Sequence, residues 1–540
     1  MRAANHGPMF RTPYLLFCLV LACASPALAQ TSPLTRAESS GYTRTSSWAD
    51  VNAFLKALQL QHAPITVQTI GKSAKGKAIP LVVVSQPPVR NVEQARASGR
   101  LVVYIEANIH AGEVEGKEAV QILMRQLAHG KHPNLLRKLV LVITPIYNID
   151  GNDAFGPESV NRSEQDGPEI VGQRANGQGL DLNRDCIKAE SPEMRAALKY
   201  IYTRWNPDAV LDLHTTDGTR HGFTLTYAPA VDPNTDPRVM HYMRGILLPE
   251  VRRELARRKM LLFDYGDAVN RNGTLRWETF EPGPRYVTNY AGAIDRISVL
   301  SEAVCFLPFK ERVRTTLVFI TQVLDHLAAD ATHIRTMLDA ADARARRLGQ
   351  TGTNQLGVRF AMASRGIEPV PLEALPPGVA PIRNRPVTRV RQVAMPIYDR
   401  FRVTQSETVP EFYVLPRAES AVAQLLRLHG VRVVRLKSAW TGTIQQFWPT
   451  AVTEADRPYQ GHRMLQVDGG WRSAEKQVDA GSWLIPMNQR LARLIFEMLE
   501  PENADSVVGW NLLHSAPEVG APCSIERIMA GSGVLPPISD

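Results

Sequence analysis

Five apolar runs with β character, at 79–85, 101–109, 139–148, 208–215 and 296–303, recur before residue 304, and between them lie helical patterns at 116–128, 191–205, 238–259 and 309–329. Strands alternating with helices specify an α/β fold. The expected architecture is a mixed, largely parallel central sheet flanked by helices. Helix starts are marked locally: Ser191, Pro192 and Glu193 supply an N-cap serine, a proline at the first helical position and an early acid.

The alternation stops after an arginine-rich helical stretch that ends near Leu348. The text "GQTGTNQLG" breaks the pattern and proline-rich sequence follows, which puts a domain boundary near Gly349. Beyond it come short β-like runs at 410–416, 431–436 and 481–487 and one helical stretch at 488–499, with no catalytic motif and no internal repeat. Residues 350–540 therefore read as a β-rich C-terminal accessory domain, and 30–349 as the domain that carries the chemistry. A length of 540 residues, 44% of them hydrophobic, allows a large core and more than one such unit.

The first 29 residues read as a signal peptide. Arg2 and Arg11 precede an apolar run from Tyr14 to Ala24, and Ala27, Leu28 and Ala29 form a small-residue exit. The alternative of an uncleaved anchor is disfavoured by the shortness of the run, and a lipoprotein site at Cys23 by Leu21. The expected address is periplasmic or secreted, with no stable membrane span. Cys186, Cys305 and Cys523 remain after cleavage, an odd set that makes no disulfide framework. The formal charge of +9 is spread along the chain. Its densest part, "IRNRPVTRVRQ" from Ile382, lacks interleaved aromatics and reads as a solvated surface, so nucleic acid is not an expected partner.

Chemistry enters at "YIEANIHAGEVEGKEA", where a strand runs into His110 and Glu113. A lone His-x-x-Glu is weak evidence of a metal. Here the pair sits where a strand ends, at the crevice in which open α/β sheets bind ligands. A second strand, "DAVLDLHTTDG", ends on His214. Two histidines and one glutamate complete a catalytic zinc set with a position left for water. Between them, "GQRANGQGLDLNRDC" places Arg174, Asn183 and Arg184 in a loop too polar for a core, with groups suited to gripping a carboxylate. Glu115 reads as an acid decorating a helix N-terminus.

These motifs resemble, in content and order, the zinc metallocarboxypeptidases, the family of pancreatic carboxypeptidases A and B and of the regulatory carboxypeptidases N and E. The resemblance covers roughly residues 43 to 330. It includes "GKSAKGK" at 71–77, His110 and Glu113, the turn Asn148-Ile149-Asp150-Gly151, the stretch from Arg174 to Arg184, His214, and Glu302 in "ISVLSEAVCF".

The resemblance implies one zinc ion per chain held by His110, Glu113 and His214, and peptides or protein C-termini as substrates. Glu302 is then the general base, Arg174 stabilises the oxyanion, and Asn183 and Arg184 clamp the terminal carboxylate. Asp181 is the natural partner for the outer nitrogen of a ligating imidazole such as His110. Tyr290, with Tyr286 behind it, is the candidate for a tyrosine that covers bound substrate. The interval from Tyr290 to Glu302 is shorter than in the pancreatic enzymes, so the floor of the specificity pocket does not align. Asp217 and Asp295 could select basic residues, or be solvated or capping acids. Cys186 and Cys305 could approach each other behind the site as a disulfide or remain buried thiols. Two other readings stand beside a carboxypeptidase: a murein-peptide hydrolase or amidase on the same scaffold, and a metal-binding pseudoenzyme whose C-terminal domain binds a partner.

Overall fold

The central sheet has eight strands: β1 (Ile65–Lys72), β2 (Ala78–Val84), β3 (Leu101–Ala107), β4 (Leu139–Thr144), β5 (Ala209–Thr215), β6 (Leu225–Ala228), β7 (Leu262–Asp264) and β8 (Ile297–Ala303). Their order across the sheet is β1-β2-β4-β3-β5-β8-β6-β7. The inner four, β4, β3, β5 and β8, run parallel, while the β1/β2, β2/β4 and β8/β6 pairings are antiparallel. The mixed, largely parallel sheet expected from the apolar runs is what the chain forms. This computed structural model describes residues 32–531 apart from 377–378, 380–381 and 383, together with the isolated positions 1, 3, 4 and 7. The signal-peptide reading falls almost wholly on residues outside that description.

Every residue of β3, β5 and β8 is buried. Strands covered on both faces read as continuous apolar runs instead of alternating ones, which is why they stand out in the sequence. Helices α1 (Glu115–Ala128), α2 (Val287–Ala293) and α3 (Phe309–Ala329) pack around the sheet. The helical pattern at 191–205 is a short α-helix, Pro192–Ala197, capped by Ser191 accepting from the Met194 N–H, which then widens to π geometry over Leu198–Trp205.

A helix start packs closely on the carboxyl end of β5. A Cβ at Gly116, in the first turn of α1, would come within 2.8 Å of the Leu213 Cβ. The absence of a side chain lets the helix start press directly on the strand that carries His214, and Glu113 lies three residues before it.

Residues after Gly349 build further β structure. A six-stranded sheet includes the long hairpin β9 (Trp440–Glu454) and β10 (Leu465–Val478), with Phe412–Leu415 and Trp483–Pro486 among its other strands. The strand Val390–Tyr398 pairs in parallel with Thr274–Glu278, so one smaller sheet draws strands from both sides of residue 349. Residues 33–540 cluster as one compact unit. Among the described residues no helix is long and apolar enough to cross a membrane.

Candidate metal centre and substrate cleft

The turn after β3 is set by Asn108, which takes a left-handed conformation with φ 67°, a region that asparagine tolerates better than other side chains. Its Nδ2 donates to the carbonyls of Ala111 and Glu113 at 3.1 and 3.2 Å. The chain turns sharply there and presents His110 and Glu113 on one side. Gly112, inside the turn, has room for nothing larger: a Cβ would lie 2.7 Å from Arg162 Cγ and 2.9 Å from the Gly172 carbonyl.

The Asn148-Ile149-Asp150-Gly151 turn ties three segments together. Asn148 Oδ1 accepts from the Gly151 N–H at 3.0 Å, while its Nδ2 donates to the carbonyls of Ile109 and Arg174. Asp150 accepts from Ser73 Oγ and the Lys75 N–H, each at 2.8 Å. The stretch at 71–77, the histidine turn and the arginine loop are thereby hydrogen-bonded to one short helical turn.

His110, Glu113 and His214 bring their ligand atoms within 4.8 Å of one another. Glu113 lies 3.0 Å from His110 Nδ1 and 2.9 Å from His214 Nδ1, and the two Nδ1 atoms are 3.2 Å apart. The outer nitrogens face carboxylates: His110 Nε2 lies 3.0 Å from Asp181 Oδ1, and His214 Nε2 lies 2.8 Å from Asp212 Oδ1. Were each Nε2 to carry the proton, the two Nδ1 atoms and the Glu113 carboxylate would converge as three acceptors. That arrangement calls for a cation between them. Burial by itself would favour a neutral His214, yet Asp212 and Glu113 push its pKa well above the usual value. Burial likewise opposes the charge on Asp181, and His110 and Arg174 overcome it, holding that carboxyl well below the ordinary range. The donor set, two imidazoles and one carboxylate, fits zinc.

Glu302 lies opposite His214 in the parallel pairing of β8 with β5. Burial, with help from Glu113 and Asp217, pushes its pKa well above the usual carboxyl value against the pull of His214. Its Oε2 is buried and receives no hydrogen bond from any described residue. Arg174 donates from Nε to Asp181 Oδ2 at 2.9 Å and places Nη1 3.5 Å from Glu113 Oε1. Asn183 is fixed by accepting from the Val287 N–H, its amide 3.4 Å from His214 Nε2. Arg184 stacks over the Tyr286 ring at 4.4 Å. The three metal-ligand candidates, Arg174, Asn183, Arg184 and Glu302 all line one cavity of about 140 Å³, whose other walls include Tyr265, Phe280 and Tyr286.

Tyr290 is not part of that cleft, which corrects its expected role as a cover for substrate. Helix α2 turns its side chain inward: the ring is 1% exposed, packs edge-on against Tyr202, and its hydroxyl is 2.9 Å from His429 Nδ1. Tyr286, just before α2, occupies the cleft wall instead. Glu115 also differs from the sequence reading. It is fully buried, accepting from Thr215 Oγ1 and pairing with Arg312 at 3.4 Å, and so ties α1 and α3 to the end of β5. Asp295 caps the Asp236 N–H and pairs with Arg493, away from the cleft, whereas Asp217 lines it. Cys186, Cys305 and Cys523 are free and buried.

Two residues of the site carried no assignment from sequence. Asp212 had a signal, since two residues before His214 on a strand means the same face. Arg162, which lies 3.3 Å from Glu113 Oε1 and donates to the Thr215 and Thr216 carbonyls, comes from a short helix followed by a loop with no motif.

Residues 51–220 match the family described as zinc carboxypeptidase, a span that holds all three metal-ligand candidates and the arginine loop. That segment is similar to zinc carboxypeptidases. Among curated relatives, the chain is 22% identical over 522 residues to carboxypeptidase 2 of Trichophyton tonsurans, covering 91% of this chain and 88% of that one. Carboxypeptidase 2 of Trichophyton rubrum is 22% identical over 512 residues with the same coverage. A solved metallo-carboxypeptidase from Burkholderia cenocepacia aligns at 17% identity with a TM-score of 0.40, over 53% of this chain and 70% of that one. Both fungal relatives align through the region after Gly349 as well as through the sheet.

Proposed function

We propose that the protein is an exported zinc carboxypeptidase that removes residues one at a time from the C-termini of peptides. The observation that carries this reading is the convergence on one cleft of a metal-ligand set, a buried carboxyl with an unoccupied oxygen at Glu302, and a solvent-facing Arg184. Zinc at His110, Glu113 and His214 would supply Lewis acidity, polarising the scissile carbonyl and making a water molecule acidic near neutral pH.

The chain's own groups do the remaining tasks. Asp181 and Asp212 orient the two imidazoles and keep their Nε2 atoms protonated, so that Nδ1 is the donor atom in each ring. Glu302, held at the end of β8 with Oε2 free of any described partner, takes the proton of the attacking water and returns it to the leaving amine. Arg174 presents a fixed positive charge to the oxygen that becomes anionic during attack. Arg184 and Asn183 bind the terminal carboxylate, and that contact restricts cleavage to the last peptide bond. Residues 1–29 serve as the export signal, and the β-rich region after Gly349 serves as an accessory domain.

Purified mature protein incubated with a mixed peptide set and followed by mass spectrometry tests the reading. Stepwise loss of C-terminal residues, abolished by a chelator and restored by zinc, is expected. Intact peptides from a zinc-loaded sample would overturn it and direct attention to murein peptides or to a binding role.

A further inference from the structure

The connection between β9 and β10 reaches the substrate cleft from the C-terminal region. At its tip, Tyr459 and His462 exchange backbone hydrogen bonds of 2.8 and 3.0 Å. The two residues between them, Gln460 and Gly461, have φ of 49° and 86°. Two left-handed central residues make a tight turn whose twist suits a hairpin, so the tip is a fixed finger.

Three contacts join this finger to the arginine loop. Arg184 Nε donates to Tyr459 Oη at 2.8 Å. The Asp181 N–H donates to Gln460 Oε1 at 2.9 Å. His462 Nε2 lies 2.7 Å from Glu190 Oε1. The finger is itself anchored, since the Tyr459 ring stacks at 6.0 Å on Trp510, which is fully buried and donates from Nε1 to Asp505 Oδ1.

The consequence lies in how Arg184 is left pointing. A guanidinium carries five N–H donors in a rigid fork. Tyr459 engages Nε, the Asn183 carbonyl accepts from Nη1 at 2.8 Å, and the Tyr286 ring covers one face. No described residue accepts from Nη2. The Nε position of the fork is therefore committed to the finger, which leaves Nη2 and the second hydrogen of Nη1 as donors for a carboxylate bound in the cavity that Arg184 lines.

We propose that Tyr459 is a positioning residue for substrate binding, holding Arg184 in the orientation that receives the terminal carboxylate. The inference rests on the reading of Arg184 as the carboxylate clamp. It assigns the region after Gly349 a direct part in the substrate site, contributed by the Tyr459–His462 turn.

Tyr459→Phe keeps the stacked ring and removes only the hydroxyl, so the comparison needs wild type, Tyr459→Phe, Arg184→Ala and the double variant, each with zinc content measured. For a peptide with a free C-terminus, Tyr459→Phe is expected to raise KM about tenfold, the size of one hydrogen bond to a charged group. Its kcat should stay within about twofold, with full zinc content. In the Arg184→Ala background the same change should leave KM unaltered, because a residue acting through Arg184 has nothing left to orient. If Arg184→Ala raises KM and Tyr459→Phe does not, positioning by Tyr459 is overturned while the clamp stands. If Arg184→Ala leaves KM unchanged, the clamp reading fails first and the proposal with it. Equal losses from Tyr459→Phe in both backgrounds, or a fall in zinc content, would assign Tyr459 a merely structural role and overturn the proposal.

Discussion

Glu302 and His214 stand side by side on adjacent parallel strands, residue opposite residue. Because partners in such a ladder project to the same face, the sheet itself fixes the distance between the proposed base and one proposed metal ligand.

Glu302→Gln is the first consequence. The amide keeps the shape but cannot take a proton, so kcat should fall by about 10²–10⁴-fold while zinc content stays at the wild-type level. Elemental analysis alongside steady-state kinetics checks both halves; loss of zinc in this variant would mean that Glu302 serves the metal instead of the water.

Asp212→Asn removes a charge that touches no substrate. Asp212 Oδ1 is 2.8 Å from His214 Nε2, and loss of such a partner costs about 10–100-fold in metal affinity. Competition with a chromogenic chelator should show that loss for Asp212→Asn, and for Asp181→Asn through His110. An unchanged affinity in both would contradict the account of how the imidazoles are oriented.

Gly116→Val tests the packing beneath the site. A Cβ there meets Leu213 Cβ at 2.8 Å, and overpacking of this kind costs about 1–3 kcal/mol. Thermal unfolding should show a lower midpoint, and zinc affinity should fall as well, because the start of α1 is coupled to Glu113 and to β5. A wild-type midpoint would show that the helix start can shift without cost.

Acid sensitivity has a source outside the cleft. His221 is packed among Phe223, Trp277 and Phe306, and burial lowers its pKa from 6.5 to about 4. The folded state thus binds fewer protons than the unfolded state between those values. Its contribution to stability is complete above pH 6.5 and is lost as pH falls toward 4. His221→Leu should narrow the difference in unfolding midpoint between pH 7 and pH 4.5; an unchanged or wider difference would contradict the assignment.

The parts of this molecule that sequence reveals are those whose physics is local. Strands buried on both faces, such as Leu101–Ala107 and Ala209–Thr215, announce themselves as unbroken apolar runs, and the groups at their ends follow directly. The candidate groups His110, Glu113, His214 and Glu302 can be proposed from sequence for that reason. Tyr290 was misread because a tyrosine near a site can face either way from a helix, and only packing against Tyr202 and His429 decides it. Arg162 and Tyr459 were invisible because their partners are distant in sequence: 49 residues separate Arg162 from Glu113, and 275 separate Tyr459 from Arg184. The long β9–β10 hairpin also escaped notice, since its burial pattern is irregular and much of it is exposed.

The most direct test of the account is a matched pair of peptides that differ only at the C-terminus, one a free carboxylate and one an amide, followed by time-resolved mass spectrometry with the zinc-loaded enzyme. The free acid is expected to be shortened one residue at a time while the amide stays intact on the same timescale. Equal trimming of both peptides, or cleavage at an internal bond, would contradict it, because Arg184 would then not be reading the terminal carboxylate.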